Sequence, residues 1–266
     1  MKLSKKIFFT VTVVTVCAGL YAQEQKVQKK DGSNSNAKSE TSVENEYLND
    51  MDGTVILTLA QSEEYDNKLV ALQYLETSVE KGNTSDEVVA ALDQLAGEGI
   101  STQTRKNGRL MNNYPDIRRQ ACLLLGKIGG EHSKNTLKNI ALADNEPSVQ
   151  AAAIKSLGDI GINANDEVTE AIAYANLRNR VLNPTSSMAF EVLNAFEKLS
   201  ANTQNKKAMI DEISHIAADS HYNSAVRKHA LDILKNMKTD SSDTSSTKKS
   251  STQPEPAVST DTNNAN

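Results

Sequence analysis

The 266-residue chain carries 34 acidic against 29 basic side chains and a net charge of −5. That sign is wrong for sustained contact with a phosphate backbone, so nucleic acid is not an expected partner. Two cysteines, Cys17 and Cys122, are too few for a disulfide framework, and if Cys17 is lost with a cleaved leader, Cys122 stands alone and the fold is expected to be held by packing alone.

Residues 1–22 read as an export signal. Lys2, Lys5 and Lys6 precede an apolar run from Ile7 to Val16, followed by Cys17, Ala18 and Gly19. About ten apolar residues are half of the roughly 20 that a spanning helix needs. Cleavage after Ala22 leaves a small residue at the cut, and Ala18 is the second choice. Either removes three lysines and no acid, moving the net charge from −5 to −8. The competing reading is lipid attachment at Cys17, although Val16 is larger than the residue usually found before a lipidated cysteine. The expected location is the periplasm, or an envelope membrane through a lipid on Cys17. No later segment is apolar enough to span a bilayer.

Residues 23–46 are polar, without an apolar stripe, and read as a disordered spacer. The helical domain is expected over 47–238. A short helix around Val55–Ala60 opens it. A second, from about Asp66 to Lys81, carries Leu69, Leu72, Leu75 and Val79 and stops at Gly82. Thr84 with Glu87 has capping-box spacing ahead of a third helix bearing Val88, Ala91, Leu92 and Leu95, closed by Gly97 and Gly99.

The strongest signal follows. Residues 115–129 read PDIRRQACLLLGKIG, and residues 147–161 read PSVQAAAIKSLGDIG. Pro115 matches Pro147, Ala121 matches Ala153, Leu125 matches Leu157, and Gly126 and Gly129 match Gly158 and Gly161. Each proline suits the first turn of a helix, where a missing N–H costs nothing. A partner helix is expected after each copy: one with Leu137, Ile140 and Ala141, and a longer one from Val168 to Leu182, ended by Asn183 and Pro184. A degenerate third copy has Met188, Val192, Leu193, Phe196 and Leu199. Its partner has Met209, Ile210, Ile213, Ile216 and Ala217, and a last copy has Val226, Ala230, Leu231, Leu234 and Met237. No convincing strand is visible. From Thr239 to Asn266, 13 of 28 residues are Ser or Thr, a composition expected to stay disordered. A helical hairpin of this length buries its apolar face only by stacking on copies of itself, so the expected fold is an all-α solenoid.

The pattern Asp-x-(Val/Ile)-Arg, three residues, Ala, three residues, Leu-Gly-x-Ile-Gly resembles HEAT-like repeats of the phycobilisome-lyase type. Asp116, Ile117, Arg118, Ala121, Leu125, Gly126, Ile128 and Gly129 match it in full. The second copy has Gln150 in place of Arg, and the last keeps Val226 and Arg227 without the glycines. The resemblance implies stacked helix pairs and a protein partner, and implies that the matching Arg118 bonds neighbouring turns, with Asp144 and Glu146 as candidate acceptors.

Catalytic and metal chemistry find little support. Some HEAT-like enzymes hold iron with several His-Glu pairs, but the four histidines are His132, His215, His221 and His229, and the only adjacent pair, Glu131-His132, is reversed. His215 and Asp219 have i, i+4 spacing, half a metal site at best. Cys122 falls on an apolar stripe, which suits a buried thiol. No nucleophile motif or phosphate-cradling loop occurs, so neither enzyme activity nor a cofactor is expected.

One segment departs from repeat economy. Glu98–Tyr114 is about 17 residues where connections in helical arrays run about 2 to 8. It holds Arg105, Lys106 and Arg109 with Met111 and Tyr114, and leads into Arg119. One reading is a solvated loop or an irregular turn folded on the repeats. The other is a partner-binding site made of these six residues, since loops on one face of a solenoid often bind. The function expected is a non-catalytic scaffold holding another envelope protein on a concave helical surface, with the lipid-anchored adaptor as the alternative.

Overall fold

A computed structural model describes the backbone of residues 43–243 and the side-chain environments of residues 52–237. Residues 1–22, read from sequence as an export signal, lie outside the described residues, as do most of the expected spacer and most of the Ser/Thr-rich tail. Ten α-helices occur among those described. They are α1 (Val43–Gln61), α2 (Tyr65–Glu80), α3 (Asp86–Ala96), α4 (Pro115–Ile128), α5 (Gly130–Ala143), α6 (Pro147–Ile160), α7 (Glu167–Leu182), α8 (Ser186–Leu199), α9 (Lys207–Ala218) and α10 (Ser224–Asp243). The helical unit thus extends a few residues beyond 47–238 at both ends. α1 is 19 residues long instead of the short helix at 55–60, because its first half is polar and shows no stripe to read.

The even-numbered helices stack side by side as one layer, α2 through α10, and the odd-numbered helices form the other, with α3 and α5 linked through Asp93 to His132 and Thr136. Of its odd-numbered neighbours, each even helix packs more extensively along the one that precedes it: α2 along α1, α4 along α3, α6 along α5, α8 along α7 and α10 along α9. The partner of each repeat helix therefore comes before it in the chain, not after it as the sequence order suggests. Between the layers runs one continuous apolar core that includes Leu75, Leu92, Leu95, Ile117, Leu125, Leu137, Ile154, Leu157, Ile172, Phe196 and Ile213, all fully buried.

A repeated polar position explains this pairing. In α2, α4 and α6 the fourth residue reaches back to carbonyls at or just past the C-terminus of the odd helix before it, where the helix leaves such groups without a partner. In α2 that residue is Lys68, whose ammonium donates to the Ala60 carbonyl at 2.9 Å. In α4 it is Arg118, which donates to the Glu98 carbonyl at 3.2 Å, just past α3. In α6 it is Gln150, whose amide donates to the carbonyls of Ala141 and Asp144. All three are buried. Gln150 in place of Arg thus keeps the donor and drops the charge.

Glycine sets the spacing within the even layer. A Cβ added to Gly126 of α4 would lie 2.4 Å from Ser156 Oγ of α6, and one on Gly158 of α6 would lie 2.8 Å from Ala195 Cα of α8. Ser156 and Ala195 hold equivalent repeat positions, so the same small-on-glycine contact recurs across two interfaces. Ser156 also donates its hydroxyl to the Cys122 carbonyl at 2.9 Å. Cys122 is fully buried, and burial, then the Asp144 carboxylate, push its thiol pKa up to about 12. It is a core residue held as the neutral thiol.

Two local expectations need correction. Ser85, not Thr84, is the N-cap of α3, and neither hydroxyl caps the helix. Asn83 shapes the turn instead, its side-chain oxygen accepting the Ser85 N–H at 3.0 Å. Secondly, the described residues do contain strands: β1 (Arg105–Lys106) and β2 (Arg109–Leu110) pair antiparallel within the α3–α4 insertion.

Candidate partner-binding site

The insertion between α3 and α4 is an ordered element. Its first turn is gathered on the Gly97 carbonyl, which accepts the N–H groups of Ile100 and Ser101 at 3.0 and 2.9 Å. Gly99 follows at φ +76°, and a Cβ there would come within 2.5 Å of the Asn112 carbonyl oxygen, so only glycine fits. Asn107 and Gly108, both at positive φ, make the two-residue turn from β1 to β2 that such a pair favours. Arg105 faces Leu110 and Lys106 faces Arg109 across the ladder.

Asn112 closes the loop at its base. Its side-chain oxygen accepts the Thr104 N–H at 2.9 Å, while its amide donates to the Thr102 carbonyl at 2.7 Å and to Glu98 Oε1 at 2.6 Å. Glu98 Oε2 in turn accepts Lys68 Nζ at 2.9 Å. Arg118 completes the anchor: its Nη1 donates to Glu98 O and to Asn113 Oδ1, and its other nitrogens grip Asp144 at 2.7 and 3.2 Å. Glu146, the other candidate acceptor, is not bonded to Arg118. It supplies a backbone N–H to Asp144 Oδ1 at 2.9 Å. Buried ionic groups survive only with such complete pairing, so the polar web beneath the hairpin holds the insertion rigidly on the repeats.

Above this base lies a depression of about 460 Å³. Lys106, Met111 and Tyr114 line it, over a floor that includes Lys68, Glu98 and Asn112. Tyr114 packs against Tyr65 with ring centroids 5.0 Å apart. The Tyr65 hydroxyl donates to Asp116, which holds its pKa above the ordinary value. Arg105 lies along the hairpin, bonded to the Gln103 side chain and the Gly108 carbonyl. Lys106 and Arg109 are exposed, and their side chains have no hydrogen-bond or ion-pair partner among the described residues. Met111 is half exposed, at 51 %. Five of the six sequence-selected residues thus share one surface element. Arg119 does not join them: it lines a separate furrow on the even layer with Leu123, Ala152 and Lys155.

The anchoring residues Lys68, Glu98 and Asn112 escaped sequence reasoning. The hairpin did carry a legible signal, since Asn107-Gly108 is the strongest short-range mark of a two-residue turn. Nothing in one sequence marks Asn112, whose partners are brought together only by the folded loop.

The histidines serve local contacts. His132 meets Asp93 at 2.5 Å, His221 meets Asp219 at 2.7 Å, and His229 meets Asn194 at 3.2 Å beside the Phe190 ring. Asp219 is therefore engaged by His221 and not by the His215 side chain. Among the described residues no group of three or more His, Cys, Asp or Glu is placed to hold a metal ion, and no helix is long and apolar enough to cross a membrane.

Stacked helix pairs with a recurring glycine contact and a recurring polar tie define an α-solenoid. Residues 109–189 match the HEAT repeats family, and the chain is a HEAT-like repeat protein. HEAT repeats are commonly protein-interaction scaffolds and are generally non-catalytic. No curated protein matches the chain.

Proposed function

We propose that this protein is a non-catalytic scaffold, exported to the bacterial periplasm, that holds another envelope protein through the hairpin face of its solenoid. The observation that carries the reading is the rigidly anchored hairpin. It presents Lys106 and Arg109 without internal partners, beside a depression edged by Met111 and Tyr114. Preorganised cations on an otherwise acidic chain draw an acidic partner surface, and exposed apolar side chains next to them hold it. Export rests on the Lys2, Lys5, Lys6 and Ile7–Val16 pattern.

The test is crosslinking and co-purification from the native envelope with wild type and with Arg105, Lys106 and Arg109 all changed to Ser. The variant should keep wild-type circular dichroism and melting, because exposed substitutions of this kind change stability by less than about 0.5 kcal/mol. It should lose the partner, and wild-type capture should weaken as salt rises. Equal capture by the variant at low salt overturns the hairpin as the binding element. Cys17 favours a second reading, a lipid-anchored adaptor. Mass spectrometry of the mature N-terminus decides it: an end at Gln23 supports simple export, and a diacylated Cys17 the anchor.

A further inference from the structure

Solenoids end in caps because the flank of a terminal repeat that would have met the next repeat must instead face water. On the terminal helices here, that flank can be located by helix geometry. Two residues along a helix is a turn of about 200°, so the residue two places from one facing inward along the layer faces outward. In α1, Gly53 lies against Glu87 of α3, which puts Val55 on the free flank. In α2, Leu72 and Glu76 line the furrow shared with α4, which puts Val70 and Tyr74 on the free flank.

The other end repeats the pattern. In α9, Glu212 accepts from Asn176 of α7 at 2.8 Å, so Ile210 faces away from the array. In α10, His229 meets Asn194 of α8, so Leu231 faces away as well. These free-flank residues are all exposed apolar side chains: Val55 at 55 %, Val70 at 39 %, Tyr74 at 55 %, Ile210 at 38 % and Leu231 at 48 %. At the first end they border a groove between α1 and α2 of about 460 Å³, floored by Ile56 and Leu59.

We infer that the two ends are complementary docking faces for further copies of this chain, which stack head to tail with α1 and α2 of one copy against α9 and α10 of the next. The occupant follows from continuity with the interface already built inside the molecule. Successive pairs meet even helix to even helix throughout, and odd helix to odd helix by packing of α1 on α3, α5 on α7 and α7 on α9, with α3 and α5 joined through Asp93 to His132 and Thr136. A face that would receive a preceding pair is matched in kind by the face that would receive a following one, and this chain carries one of each. Two faces of different kind make a heterologous contact, which propagates unless the rotation closes a ring.

Area sets the strength. Helices of 19 and 16 residues are about 24 to 28 Å long at about 1.5 Å per residue, and two of them about 10 Å apart present on the order of 500 Å². Stable pairs bury about 800 Å² per partner. The stacking is therefore weak and driven by concentration.

The experiment is sedimentation velocity on the purified protein from micromolar to submillimolar concentration, with Tyr74→Lys to block the first face and Leu231→Lys to block the second. Both positions are exposed, and circular dichroism verifies that each variant folds. Wild type should grow past dimer as concentration rises. Each variant alone should remain monomeric where wild type associates, its self-affinity reduced at least about tenfold by a charge placed in the contact. A mixture of the two should form a one-to-one dimer that grows no further, because each variant retains the face the other has lost. The hairpin triple variant should associate as wild type does, which separates this inference from the proposed partner site. A wild type that stays monomeric throughout overturns the proposal and leaves the end faces to another protein or to the chain's own tails. A blocked variant that still pairs with itself overturns the head-to-tail geometry, as does failure of the mixture to pair.

Discussion

Arg118→Met removes the ion that ties three parts of the chain together. Arg118 and Asp144 are each about 2 % exposed, so their attraction is not weakened by solvent as a surface pair would be. The guanidinium makes two bonds to the carboxylate and one each to Glu98 O and Asn113 Oδ1. Met fills most of the volume but leaves Asp144 charged and buried, with the Glu146 N–H as its remaining bond. Removing one member of a buried pair costs about 3 to 5 kcal/mol. For a domain near 200 residues that lowers the melting temperature by about 6 to 20 °C. Adding Asp144→Asn removes the stranded charge, so the double variant should recover at least about 1 kcal/mol relative to Arg118→Met alone. Urea unfolding monitored by circular dichroism, run as a double-mutant cycle, measures both numbers. A loss under about 1 kcal/mol for the single variant, or a double variant equal to the sum of the singles, refutes the argument that this pair locks the insertion to the repeats.

Other perturbations test the packing and the charge network. Leu125→Ala and Leu157→Ala, at one repeat position and both fully buried, should each destabilise by about 2 to 5 kcal/mol in chemical denaturation. Gly158→Ala gains about 1 kcal/mol of helix propensity, but its methyl meets backbone 2.8 Å away in α8. The overpacking, about 1 to 3 kcal/mol, should win, and a raised melting temperature would show that α6 and α8 are not in this close contact. Glu167 is held below its ordinary pKa by hydrogen bonds first from Lys134 and then from Lys138. A depressed carboxylate pKa stabilises the fold above the unfolded value near 4.5 and loses that contribution as pH falls through the folded value. Glu167→Gln should therefore lower the urea midpoint at pH 7 and bring it close to wild type at pH 3, and a deficit unchanged by pH would assign the loss to packing.

The repeat was legible because one physical demand recurs. Leu125 and Leu157 must fill the core, Gly126 and Gly158 must let helices approach, and Pro115 and Pro147 must start helices, so one residue pattern is written twice. The all-α class, the helix order and the burial of Cys122 followed from that pattern. The basic cluster at Arg105, Lys106 and Arg109 was visible as composition, and Asn107-Gly108 contained the hairpin that joins them. Which helix each repeat helix pairs with was decided only in three dimensions, because the ties from Lys68, Arg118 and Gln150 run backward to carbonyls, groups that every residue carries and no sequence distinguishes. The same holds for Asn112, Glu98 and Lys68 beneath the hairpin, residues 14 and 30 positions apart along the chain, and for Arg119, which helical rotation carries away from neighbouring Arg118 onto another surface. Periodicity records which side of a helix is apolar; what stands opposite that side, and which polar groups it leaves to be satisfied, is settled when the helices stack.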